Sequence, residues 1–129
     1  MKYVMLIYEP KALFNARREK PGDAEFWAPW RAYHQALRDA GVYAGGNPLD
    51  VPGTTAATIR VRGGERHVQD GPFADTKEQL GGFIVFEVSS LAEAIHWASQ
   101  CPAAQYGAVE VRPVGDLTHI FGPEHGRGT

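Results

Sequence analysis

The sequence predicts an α+β domain whose strands form one sheet, with helices on one face and a second copy of the chain against the other. Three patterns predict it. Tyr3, Val4, Met5, Leu6, Ile7 and Tyr8 are apolar on both alternating faces, as expected of a strand buried on two sides. Phe26, Trp30, Tyr33, Leu37 and Ala40, and later Leu91, Ala94, Ile95 and Ala98, recur at helical spacing. Short alternating runs bounded by Gly and Pro supply the other strands. Helices can cover one side of a small open sheet. The doubly apolar first strand therefore calls for a homodimer to cover the other.

In chain order, Lys2–Glu9 is the first strand, and Tyr8 at its end combines a ring with a reaching hydroxyl. Residues 10–23 form a polar connection rich in charge. The helix that follows stops at Gly41, and Pro29 belongs in its first turn or breaks it, because an interior proline costs about 3 kcal/mol. Trp27 and His34 flank its apolar stripe. Val42–Asp50 is a second strand or extended segment interrupted by Gly45-Gly46-Asn47-Pro48. Thr55–Arg62 reads as a half-buried strand, turning at Gly63-Gly64 into Glu65–Gln69. Gly82–Val88 is a central strand. Ser90 and Glu93 have capping-box spacing for the second helix, which Pro102 terminates. In the last strand, Gly107–Val114, Val109 and Val111 face the helices, and Glu110 and Arg112 face away from them. Residues 115–129 read as an irregular extension beyond a domain of residues 1–114, with Leu117, Ile120 and Phe121 able to dock.

Composition excludes several classes. The 129 residues suit one domain, and 13 basic against 15 acidic residues lack the basic excess of a nucleic-acid binder. The single cysteine, Cys101, rules out an internal disulfide and reads as a packing residue. The apolar run at the N-terminus is too short for a signal-peptide core or a membrane span, so no membrane association and a cytoplasmic location are expected. Histidines 34, 67, 96, 119 and 125 lack metal-ligand spacing, so no metal is expected. No phosphate loop, dinucleotide fingerprint or serine elbow is present, so no cofactor is expected.

The stretch from Asp70 to Phe83 is longer than a chain reversal needs. Asp70-Gly71-Pro72-Phe73 and Thr76-Lys77-Glu78-Gln79-Leu80-Gly81-Gly82-Phe83, with Met1–Tyr8, Ala98–Pro102 and Val109–Val114, resemble the DGPF subgroup of the YCII-related proteins over residues 1–114. The resemblance implies a ferredoxin-like βαββαβ domain, here with an added hairpin. Its antiparallel sheet carries two helices on one face, and two copies close into a dimeric α+β barrel. It also implies that His34 and Asp70 are the nearest equivalents of a histidine–aspartate pair found in several members. Such a pair makes a general base near neutral pH; alternatively, His34 is a half-exposed helix residue and Asp70 caps its own turn. His67 is the reserve base.

The expected function is cofactor-free acid–base chemistry on a small organic molecule in a pocket at the dimer's sheet face: elimination, isomerisation or cyclisation of an aromatic or polyketide-like metabolite. Tyr8, Lys77, Glu78 and Arg112 would orient the substrate, and Trp27, Trp30 and Phe73 suit a flat ligand. The competing reading is a non-catalytic small-molecule binding or regulatory protein of the same fold. For Glu110 and Arg112 a salt bridge stands beside ligand contact, and Lys77 and Glu78 alternatively fix the dimer register.

Overall fold

A computed structural model describes residues 1–13, 24–50, 56–73 and 76–125. Strand β1 (Lys2–Pro10) leads to helix α1 (Ala24–Asp39) and strand β2 (Tyr43–Pro48). The hairpin β3 (Ala57–Arg62) and β4 (Glu65–Asp70) precedes β5 (Glu78–Glu87), helix α2 (Leu91–Ala98), a 3-10 turn (Pro102–Gln105) and β6 (Ala108–Pro113). A short helix, α3 (Thr118–Phe121), follows. The sheet order is β2-β5-β1-β6 with every neighbouring pair antiparallel. That is the ferredoxin-like order, with β3–β4 as a separate two-stranded insertion. Most of the polar connection (14–23), Thr55 at the start of the expected strand and residues 74–75 of the stretch from Asp70 to Phe83 lie outside the described residues.

Parity along β1 sets the core. Tyr3, Met5, Ile7 and Glu9 are buried, whereas Val4, Leu6 and Tyr8 are half-buried on the opposite face. Met5, Phe86 and Leu37 are completely buried between sheet and helices. Val109 and Val111 also pack toward this core, the phase expected for the last strand. The Tyr33 hydroxyl donates to the Trp97 carbonyl at 2.8 Å, tying the helices together. Ser90 caps α2: its hydroxyl accepts from the Glu93 amide at 3.1 Å, while the Glu93 carboxylate accepts from the Ser89 amide at 3.0 Å. Gly107 has no room for a side chain, since an added Cβ would lie 2.1 Å from the Tyr8 carbonyl oxygen.

Four expectations need correction. Pro29 lies inside α1, beyond its first turn, and the helix continues through it. Pro29 is exposed, so the helix turn disturbed by its missing N–H faces water rather than the core. Strand β5 begins at Glu78, four residues earlier than Gly82, because β1 extends to Pro10 and pairs with Glu78 and Gln79. The glycine pair marks a register shift inside the strand rather than its start. Strand β3 is not half-buried: Ile59, Val61 and Val68 line one hairpin face at 59%, 58% and 55% exposure. The region after residue 115 contains α3 rather than being wholly irregular, and Ile120 and Phe121 on it are exposed.

Candidate functional site

A cavity of about 460 Å³ opens between α1 and the β2–β5 edge of the sheet. It lies on the helix-covered side, whereas the sequence reading put the pocket on the opposite, bare face. Ile7, Trp27, Trp30 and Ile84 give it apolar walls, and the backbone of Gly46, Gly81 and Gly82 approaches without side chains. Its polar groups include Arg31, His34, Gln35 and Arg38 from α1 and Glu9 from β1. Residues three and four apart share a helix face, so Arg31, His34, Gln35 and Arg38 reach the cavity together.

His34 is half-buried. Burial, and secondarily the Arg38 guanidinium, lower its pKa below the ordinary imidazole value. Its ring lies 5.5 Å from that of Tyr43, over which Arg38 stacks at 4.9 Å. The neutral imidazole is therefore the favoured form near pH 7, the form that accepts a proton.

Glu9 is 1% exposed, and its strand partner Gln79 is 2% exposed. They are the two buried residues with carboxylate or amide side chains among the described ones. The Tyr106 hydroxyl donates to Glu9 Oε2 at 2.9 Å. Glu9 is not among the candidate residues that the sequence suggests, although it continues the core-facing parity of Tyr3, Met5 and Ile7.

The predicted site residues fall into three groups. His34, Trp27 and Trp30 share the cavity. Tyr8 and Arg112 lie on the bare sheet face, where the Tyr8 hydroxyl donates to Glu110 Oε1 at 3.3 Å and Arg112 Nε donates to Glu110 Oε2 at 2.8 Å. The Arg112 hydrogen bond is the main reason the Glu110 pKa is lowered. Asp70, Phe73, Lys77 and Glu78 are exposed around the hairpin and the start of β5. Asp70 stands opposite Ala57, and the next amide, that of Gly71, donates to the Ala56 carbonyl at 2.7 Å. Phe73 lies beneath the Arg60 guanidinium at 5.2 Å, and the Lys77 carbonyl accepts from the Lys11 amide at 3.0 Å. The fold of a single chain does not join His34 to Asp70 by a hydrogen bond or ion pair. His67 is exposed, with Nε2 3.7 Å from Glu65.

Cys101 is buried, and burial pushes its thiol up to about 11, which leaves it protonated and unreactive. Among the described residues no three His, Cys, Asp or Glu side chains cluster as metal ligands, and no helix is long and apolar enough to cross a membrane.

Comparison with known proteins agrees with the architecture. The chain is similar to 5-chloro-2-hydroxyhydroquinone dehydrochlorinase (TftG) from Burkholderia phenoliruptrix AC1100, solved in complex with 2,5-dihydroxybenzoquinone. The TM-score is 0.51 at 17% identity, covering 92% of this chain and 98% of that one; at that identity the likeness concerns the fold. It is also 38% identical over 116 residues to the uncharacterized protein R00369 of Rhizobium meliloti (strain 1021), across 88% of this chain and 92% of that protein. The YCII-related domain model matches residues 1–118, and the chain belongs to the YCII-related family.

Proposed function

We propose that the protein is a cofactor-free enzyme that moves a proton on a small, flat organic molecule, in an elimination, isomerisation or ring closure. The observation that carries this reading is His34: an imidazole kept neutral by burial and by Arg38, set in the wall of an aromatic-lined cavity. A neutral histidine beside a bound carbon acid can take its proton, and general-base catalysis of this kind contributes about 10²–10⁴-fold. Arg38 and Arg31 supply positive charge for the enolate or phenolate that develops. Trp27 and Trp30 offer flat apolar surface to the ring. The fold is shared with a protein named as a dehydrochlorinase and crystallised with a flat hydroxyquinone, which is compatible with this chemistry.

The reading includes a homodimer. Val4, Leu6, Phe83 and Val85 leave an apolar strip on the face away from the helices, bordered by the Tyr8–Glu110–Arg112 chain. A second copy on this face would enclose Tyr8 and Arg112. Asp70, on the exposed hairpin, would enter through the assembly, with Lys77 and Glu78 alongside. The second reading, a binding or regulatory protein, is favoured by one observation: among the described residues no carboxylate is hydrogen-bonded or ion-paired to His34.

Deuterium exchange separates the two. The protein would be incubated in D2O with a panel of cyclic enones and chlorinated hydroquinols, and exchange or chloride release followed by NMR. The enzyme reading expects turnover of at least one compound, lost by about 10²-fold or more in His34→Gln, and lost likewise in Asp70→Asn if the pair acts together. Binding without exchange or elimination across the panel would make the protein a receptor.

A further inference from the structure

The polar residues that α1 gives to the cavity, Arg31, His34, Gln35 and Arg38, differ in how they are engaged. Arg31 donates through Nη2 to the Ala24 carbonyl at 3.0 Å, which ties it to the start of the helix. Gln35 donates to the Asp39 carboxylate at 2.8 Å, so the acid next to Arg38 in sequence is already bonded. Arg38 is exposed and lies over the Tyr43 ring at 4.9 Å, a contact made with an aromatic face rather than with an oxygen acceptor. Among the described residues no carboxylate is ion-paired with it. His34 rests 5.5 Å from the same ring, so imidazole and guanidinium share one neighbour. Glu9, the acid of the lining, is 1% exposed and bonded to Tyr106, which does not line the cavity. The cavity thus presents an unbalanced cation beside flat apolar walls of Trp27 and Trp30.

We propose that Arg38 is the specificity-determining residue of this cavity and that its ligand is a flat organic acid, with the ring against Trp27 and Trp30 and the carboxylate on the Arg38 fork beside His34. This rests on the cavity being the site of the proposed chemistry, but it concerns recognition and requires no turnover. Arginine meets a carboxylate through two parallel charge-assisted bonds; a neutral ring of the same shape gains the apolar contact alone. The same contact reaches His34. The titratable and charged groups around it are Arg31 and Arg38 on its own helix, Tyr43 on β2 and Glu9 on β1. After burial, Arg38 is the charge that opposes its protonation. A carboxylate on Arg38 offsets that opposition, so the acid and a proton at His34 favour each other's binding. The ligand itself would make the base more basic.

The test is calorimetric titration with 2-naphthoate and its neutral isostere 2-naphthamide. The native protein is expected to bind the acid roughly tenfold or more tighter than the amide near neutral pH. Arg38→Gln should bring the acid down to the affinity of the amide and leave the amide unchanged. Arg38→Lys, which keeps the charge but not the fork, should fall between. Arg31→Gln should weaken the acid less than Arg38→Gln does. Titrations below neutral pH, in two buffers of different ionisation enthalpy, should show proton uptake when the native protein binds the acid. The amide should cause none, and neither should the acid with His34→Gln. Equal affinity for acid and amide, no measurable binding of the acid, or a preference that survives Arg38→Gln would overturn the proposal. So would a preference erased by Arg31→Gln instead, and acid binding without proton uptake would overturn the link to His34. A preference for the acid without turnover of any compound keeps this inference and removes the enzyme reading; turnover without that preference does the reverse.

Discussion

At the scale of single residues, His34 is where environment and chemistry meet. Its two perturbations act in the same direction: burial disfavours the imidazolium, and Arg38 repels it. The sign of the pH effect follows. An unfolded chain takes up this proton near 6.5, whereas the folded chain takes it up only at lower pH. Between those values the unfolded state holds more protons, so stability rises with pH. The penalty is absent above the unfolded value and grows as pH falls toward the folded one. We expect NMR titration to place the His34 pKa below 6.5, Arg38→Gln to raise it without fully restoring the ordinary value, and His34→Gln to flatten the corresponding part of the stability profile. An ordinary His34 titration, unmoved by Arg38→Gln, would remove the reason for treating it as a poised base.

At the scale of elements, local chemistry decides what could be read from the residues. The α2 cap was legible because Ser90 and Glu93 are three apart and need no distant partner. Ser90→Ala should therefore lower stability by about 1 kcal/mol, read as a shift in the urea midpoint at unchanged slope; no shift would mean that tertiary packing alone holds the helix start. Trp27, Trp30 and His34 were legible for a similar reason, since helical spacing places them on or beside the buried stripe of α1. The start of β5 was not. Gly81 and Gly82 look like a boundary until β1 is seen to run on to Pro10 and supply the pairing partners of Gln79 and Glu78. The side of the sheet on which the cavity opens was also hidden. A strand apolar on both faces does not say which face leaves space, and the space here arises where β2 meets β5 beneath α1, from residues distant in sequence. Glu9 escaped notice because its significance depends on burial, which three apolar residues of the same parity foreshadow but only the packed fold establishes.

At the scale of the whole molecule, the two faces of the sheet are unequal. One carries α1, α2 and the core; the other presents Val4, Leu6, Phe83 and Val85, with Leu80 exposed at one end. The hairpin adds a second apolar face through Ile59, Val61 and Val68, and an isolated two-stranded hairpin is at best marginally stable in water. Both surfaces are explained together if a second copy covers them. A stable interface buries about 1,200–2,000 Å² in total, and apolar area contributes about 25 cal/mol per Å² removed from water, so a single charge at the centre of such a face should be decisive. Val85 is the place to put it: its side chain is half-buried on the bare face, and its strand neighbour there is Val4, so Val85→Lys can hydrate in a lone subunit but not within a closed interface. Analytical ultracentrifugation should give twice the chain mass for the native protein and one chain mass for Val85→Lys, with unchanged far-UV circular dichroism. If the native protein sediments as a single chain at its highest soluble concentration, no partner covers the strip. Asp70 then has no route to a histidine through assembly, and the cavity beneath α1 must act alone.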